Sequence, residues 1–329
     1  MIERTTYALE RFADGAVLLD LGSGLLFRLN PTASEIWENA LGQGMAPSAI
    51  ASELARCHGI SAEQASADVA AALLIPDHDP LAADPTELTY EPQETGFLLS
   101  RYGQPAFVID TASETIQALP STAPADYGIC LRAMAPKLVA RGGSLVLHAS
   151  AVATPDGKLW AFLGANGAGK TTTARKFAQN GFRLISEDKL VTRVREGRLA
   201  AFLEGEPRIN DWIGRTRRSL ELGRDHPTGF GEMAGWMTGP HLPVERAFLL
   251  DSARRSGRSL CVCELGPAAA ASDVFPHAFY GSALSADWRR QLSSVAVLAR
   301  TARVFTATVP EGVDLLDAAI QAYIAIKAS

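Results

Sequence analysis

The run Lys158-Leu-Trp-Ala-Phe-Leu-Gly-Ala-Asn-Gly-Ala-Gly-Lys-Thr-Thr172 limits what this chain can fold into more than any other stretch. Five apolar residues, Leu159 to Leu163, predict a buried strand; a glycine-rich turn follows, and a helix is predicted to open at Lys170 or Thr171. The turn satisfies G-x-x-x-x-G-K-[ST], with Gly164, Gly169, Lys170 and Thr171 in the fixed places. Glycines at 164, 167 and 169 let successive backbone N–H groups converge on a phosphate chain with no Cβ in the way. The helix that follows contributes its positive end. Ala165, Asn166, Ala168 and Thr172 complete the stretch expected to wrap a nucleotide. Lys170 is expected at the β- and γ-phosphates and the Thr171 hydroxyl on Mg²⁺, which makes ATP and Mg²⁺ the expected ligands. The competing possibility is a glycine-rich turn that binds nothing; four matched positions between a strand and a helix weigh against it.

Length allows two or three domains with real cores, since the chain has 329 residues of which 47% are apolar. A formal net charge of −5 argues against a nucleic-acid binder, which needs a basic surface. Apolar runs fall short of a membrane span, and charges at Glu3, Arg4, Glu10, Arg11 and Asp14 exclude a secretory signal, so a cytoplasmic protein is expected. Four cysteines are scattered, at 57, 130, 261 and 263. Cys261 and Cys263 alternate along an expected strand, as small buried residues do, with no second Cys/His pair nearby to suggest a metal.

Near the N-terminus, Ala16–Leu21 and Leu25–Leu29 are expected to form a hairpin around Gly22-Ser-Gly24. Three helices should follow. The first opens with Asn30 as N-cap and Pro31 at its first position, and carries Ala33, Ile36, Trp37, Ala40 and Leu41 on one face. A second spans about Pro47 to His58, and a third begins with the capping-box pair Ser61 and Gln64. A hairpin with three helices is a winged-helix arrangement. The residues Leu18-Leu-Asp-Leu-Gly-Ser-Gly-Leu-Leu-Phe-Arg-Leu-Asn-Pro-Thr-Ala-Ser-Glu-Ile-Trp37, with Asp68-Val69, resemble the PqqD-like family of small peptide-recognition domains. The resemblance implies that a precursor's leader peptide is added as a strand beside the hairpin. A winged helix that packs on its neighbour or contacts DNA is the alternative; the third helix has no Lys or Arg, which counts against DNA.

Pro76 to Thr86 holds three prolines and three aspartates in eleven residues, the composition of a linker. The expected division is therefore residues 1–75, a linker over 76–88, and a second domain over 89–329. Beyond the linker, strands are expected at Gly96–Ser100 and Pro105–Ile109, and a helix at Asp126–Ala140 ending in Gly142-Gly143. Ser144–Ala153 should pair antiparallel with the strand before the glycine-rich turn, through Pro155-Asp156-Gly157. Phe182-Arg-Leu-Ile-Ser-Glu-Asp188 reads as a strand that ends in two acids. Further strands are expected at Leu199–Leu203, Ala247–Asp251, Ser259–Leu265 and Ala302–Val309, helices at about Asp287–Ala299 and 312–327, and a loop over 224–243.

His148-Ala-Ser-Ala-Val, the glycine-rich turn, and Asn180-Gly-Phe-Arg-Leu-Ile-Ser-Glu-Asp188 together resemble the HPr kinase family, whose members phosphorylate a serine on a protein or peptide with ATP and Mg²⁺. The resemblance implies an α/β P-loop kinase domain with a mixed sheet, preceded by the PqqD-like winged helix. It assigns phosphate binding to Lys170, the metal to Thr171 and Asp188, the acceptor's proton to Glu187, and a neighbouring place to His148. Glu187 stands where the family has aspartate, which leaves the division of labour between Glu187 and Asp188 open. The family's distal Arg-Gly-rich segment is not evident. Pro207–Asp211 and the basic run Arg215-Thr-Arg-Arg218 stand near its place, either as charge-stabilising arginines or as a solvated basic face. Joined, the two domains imply a kinase for a serine on a ribosomally made precursor peptide, of the kind found with lasso-peptide genes. A different acceptor and a nucleotide-gated binding switch remain as alternatives. A homo-oligomer is compatible with everything above.

Overall fold

In the computed structural model, residues 6–74, 88–223, 226–227, 239–251, 261–279, 285–308 and 320 are described. The expected linker, most of the loop over 224–243 and all but one residue of the expected closing helix lie outside them.

A buried central strand between two partly exposed ones builds a three-stranded antiparallel sheet, β1 (Tyr7–Phe12), β2 (Gly15–Asp20) and β3 (Leu26–Leu29), in that order. β1 went unread in the sequence because Glu10 and Arg11 interrupt it. In the turn after β2, the Asp20 carboxylate accepts from Gly22 N at 2.8 Å and from the Ser23 hydroxyl at 2.8 Å. Helix α1 (Pro31–Glu38) starts as the sequence predicts, with Asn30 Oδ1 accepting from Ala33 N at 2.8 Å. Helices α2 (Pro47–His58) and α3 (Ala62–Leu73) bury Ile50, Leu54, Ala65 and Val69 against Ile36 and Ala40. Only half of the capping box closes: Ser61 accepts from Gln64 N, while the Gln64 side chain donates to Asp68.

The larger part of the chain stacks two sheets on helices. Strands β4 (Leu88–Gln93), β5 (Gly96–Arg101), β6 (Gln104–Asp110) and β7 (Thr115–Ala118) form an antiparallel meander, with a short β13 (His226–Pro227) at its far edge. Helices α4 (Pro124–Arg141) and α6 (Gly205–Glu221) join Phe97, Phe107 and Ile116 of the meander to Val146, Val191 and Phe202 of a second, mixed sheet through Leu131, Met134 and Trp212.

That mixed sheet comprises β8 (Leu145–Ala153), β9 (Leu159–Leu163), β10 (Arg183–Ser186), β11 (Lys189–Arg195), β12 (Arg198–Phe202), β14 (His241–Asp251), β15 (Cys261–Glu264) and β16 (Arg303–Thr308). β9 lies between β8, antiparallel to it, and β14, parallel to it. The other edge of β8 is covered end to end by β10 and β11, so the chain from 183 to 195 passes along one strand with a break at Glu187-Asp188. Pairings of β11 with β12, β12 with β14, and β14 with β9 then close a ring. One face packs Phe162, Phe248 and Phe305 on Phe177 of α5 (Lys170–Gln179); the other meets α7 (Pro267–Val274) and α8 (Ser285–Thr301).

Three expectations need correction. Cys261 and Cys263 are exposed, because β15 is the end strand of the sheet with only β16 beside it. Residues 205–221 form a helix that the sequence did not announce. On it the arginines take i,i+4 partners (Arg208 with Glu204, Arg215 with Asp211, Arg217 with Glu221), so the basic run is a solvated face. The strand expected to end at Asp188 stops at Ser186, and 187–188 sit between two strands.

The N-terminal sheet is built into the core of the larger part. Val17, Leu19 and Leu21 share one apolar cluster with Leu147, Leu163, Val274 and Leu292. Each such side chain is worth roughly 1.5–3 kcal/mol on burial, against about 0–1 for the exposed Glu10–Arg300 ion pair at the same seam, so apolar packing dominates the junction. Leu19→Ala is expected to cost about 2–5 kcal/mol and to lower one cooperative unfolding transition. Denaturant titration followed by far-ultraviolet circular dichroism and by tryptophan fluorescence should give coincident curves; two separated transitions would contradict the shared core.

Candidate functional site

Backbone geometry at the glycine-rich loop follows from its residues. Gly164 has φ +145°, and a Cβ there would come within 2.7 Å of Leu250 O and 3.0 Å of Ala168, so the loop's first residue is pressed onto β14. Gly167 and Gly169 also take positive φ but face open space, which leaves room above the loop. Helix α5 then begins at Lys170, with its first turn directed at that space. The Lys170 side chain curls back and donates to the carbonyls of Gly164 at 2.8 Å and Ala165 at 3.1 Å. Only 7% exposed, its ammonium is pulled below the ordinary lysine pKa by burial, with the charge of Asp188 acting the other way.

Across the loop lies the break between β10 and β11. The main-chain carbonyl of Glu187 accepts from Ser150 Oγ at 2.6 Å and from Thr171 Oγ1 at 3.0 Å, tying β8 and α5 to the acid pair. From the other side, the Glu206 carboxylate accepts from Glu187 N at 2.6 Å and Lys189 N at 3.3 Å. The two acids diverge. Asp188 meets His148 Nε2 at 3.2 Å and also Lys189; the His148 hydrogen bond, more than Lys189, holds its carboxyl far below the usual range despite partial burial. The Glu187 carboxylate forms a bidentate pair with Arg175 of α5 at 2.8 and 2.9 Å, which lowers its pKa.

His148, Asn166, Gly167, Gly169, Lys170, Thr171, Thr172, Glu187 and Asp188 line one cavity of about 420 Å³. All but three of the residues singled out in the sequence therefore meet there. Gly164 and Ala165 hold Lys170 from below, and Ala168 is buried in the aromatic core under α5. Glu206 and His277 were missed. Glu206 opens a helix the sequence did not disclose. His277, in a short 3₁₀ turn after α7, has no local pattern to mark it. It lies near enough to Lys170 and His148 for both to act on it: burial first, then these two neighbours, push its pKa down to about 4. Among the described residues no group of three or more His, Cys, Asp or Glu is arranged to hold a metal, and no helix is long and apolar enough to cross a membrane.

Comparison with known proteins places residues 15–74, from β2 to just past α3, in the family described as Coenzyme PQQ synthesis protein D (PqqD). A search of curated proteins found no match to the chain.

An unfolded histidine titrates near 6.5 and the folded His277 near 4. Between these values the unfolded chain binds more protons, so this contribution is complete above about pH 6.5 and falls as the pH drops toward 4. Thermal unfolding across that window should show a decreasing Tm, with a shallower decrease for His277→Gln; equal slopes would contradict the buried, neutral assignment.

Proposed function

We propose that this chain is an ATP-dependent kinase that phosphorylates a serine hydroxyl on a ribosomally made precursor peptide held by its PqqD-like domain. The observation that carries this is Lys170: a buried ammonium at the start of a helix, hydrogen-bonded to the carbonyls of a loop whose glycines leave open space above it. An anion brought into that space restores to the ammonium the electrostatic partner that burial withholds. The chain's own residues fit Mg²⁺ as well. The Thr171 hydroxyl gives its proton to the Glu187 carbonyl, which leaves its lone pairs for a cation, and Asp188 is an ionised oxygen ligand across from it. Bound there, Mg²⁺ would neutralise charge on the phosphate oxygens.

In the transfer, the serine Oγ attacks the γ-phosphorus of ATP, the bond to the β–γ bridging oxygen breaks, and ADP leaves. The hydroxyl proton passes to a carboxylate, which we assign to Glu187, with Asp188 at the metal and His148 Nε2 orienting Asp188. Glu187's pairing with Arg175 is exposed and screened by solvent, so little opposes its turning toward an acceptor. The PqqD-like domain contributes by position. β3 ends its sheet, and a leader added there as a strand raises the local concentration of the attached core.

A second function is favoured by the packing of the N-terminal sheet into the same core: a switch in which nucleotide gates peptide affinity without phosphorylating the peptide. Intact-mass measurement separates the two. With ATP, Mg²⁺ and a serine-containing precursor peptide that the PqqD-like domain binds, the kinase predicts one phosphate added to a serine. Leader-dependent ATP hydrolysis without a mass gain would point to the switch. Lys170→Ala should lower transfer by about 10²–10³. Glu187→Gln should keep ATP binding and lose about 10²–10⁴ in rate; full rate in that variant would move the base role to another group.

A further inference from the structure

A second cavity, of about 400 Å³, lies at the end of β14. Leu249 and Leu250 form its floor, Thr306 and Thr308 of β16 with Cys261 and Cys263 of β15 one wall, and Asp273 and His277 the other. Leu250, which lines this cavity, is also the residue onto which Gly164 is pressed, so the cavity abuts the start of the glycine-rich loop. His277 faces the second cavity yet lies within electrostatic reach of Lys170 and His148 in the first.

One side of the second cavity is formed by a helix that also packs on the PqqD-like sheet. Helix α7, which carries Asp273, packs on β2 and β3. Its first turn is capped from that sheet by the Asp14 carboxylate, which accepts from Ala268 N at 3.0 Å and fills the space a Cβ on Gly266 would need. Arg28 of β3 is close enough to Asp273 to act on its carboxyl.

From this juxtaposition we propose that the cavity bounded by Asp273, His277, Thr306 and Thr308 is the acceptor cleft, where the peptide segment following a leader on β3 lays its hydroxyl-bearing residue beside the glycine-rich loop. The proposal rests on the kinase function above. Hydroxyls and a neutral imidazole line the cleft, and among the described residues its one ionised group is Asp273. The segment it takes is therefore neutral or cationic around the acceptor hydroxyl; an acidic flank would face the like charge of Asp273, against which Arg28 of β3 acts.

Two of the chain's thiols make the cleft testable apart from catalysis. Cys261 and Cys263 line it and are exposed; Cys57, on α2, is exposed elsewhere; Cys130 is buried. The full-length protein is treated with N-ethylmaleimide, and modification of each cysteine is followed by peptide mass mapping. The complete precursor, at about ten times its dissociation constant, should slow labelling of Cys261 and Cys263 about tenfold by occupancy. It should leave Cys57 unchanged, and the leader half alone should protect neither cleft cysteine. No protection by the complete precursor, or equal protection by the leader alone, overturns the cleft. Protection without phosphate transfer keeps the cleft and sinks the kinase function; transfer without protection does the reverse. In an active enzyme, His277→Ala should raise KM for the precursor about 3- to 10-fold with KM for ATP unchanged. Replacing the residues beside the acceptor serine with aspartate should raise the precursor's KM in the wild type, and Asp273→Asn should relieve that increase; indifference to the acidic flank contradicts the charge assignment.

Discussion

One carbonyl oxygen holds the candidate site together. Glu187 O takes hydrogen bonds from Ser150 on β8 and Thr171 on α5, while its own N–H is held by Glu206 on α6. Three elements remote in sequence thus meet at the main chain of one residue, at the point where β10 gives way to β11. The break is what allows this. The next carbonyl, that of Asp188, is the one that accepts from β8 (Ala149 N, 3.1 Å), which leaves the 187 carbonyl to the two hydroxyls. The same contact turns the Thr171 hydroxyl so that its lone pairs are free for a cation, and it sets Asp188 across from Lys170.

Packing makes this arrangement stiff on one side and yielding on the other. Below the loop, Phe162, Phe177, Phe248 and Phe305 form stacked pairs with centroids 5.2–5.6 Å apart, and Gly164 is pressed against β14. Above it, the groups that would meet a ligand are held by weaker means: a lysine bonded to its own loop, and a glutamate in an exposed ion pair. The rigid half fixes where a phosphate chain would lie, and the softer half has partners it can exchange at little cost.

Local chemistry decided which parts were legible in the sequence. The strand, the loop and the start of α5 are written in consecutive residues, because glycine at 164, 167 and 169 and the lysine that follows dictate backbone and charge within a few positions. Asn30 and Ser61 announced their helices for the same reason. Sheet order is not local, so Cys261 and Cys263 looked buried until β15 proved to be an end strand, and Glu187 looked aligned with Asp188 until Arg175 drew it aside. Helix α7 did carry a signal, Pro267 ahead of four alanines, but its consequence did not: only the fold sets His277, in the turn that follows it, near Lys170 and its first turn on Asp14. The shared core was hidden for a similar cause, since the alternation of Val17, Leu19 and Leu21 shows that a face is buried and not what covers it.

The most direct test is a crystal structure of the full-length chain with a non-hydrolysable ATP analogue and Mg²⁺. The predicted result has Lys170 Nζ released from the Gly164 and Ala165 carbonyls and bonded to the terminal phosphates, with Thr171 and Asp188 at the metal. A nucleotide bound elsewhere, or a loop unchanged with Lys170 still on its own carbonyls at saturating analogue, would contradict the account.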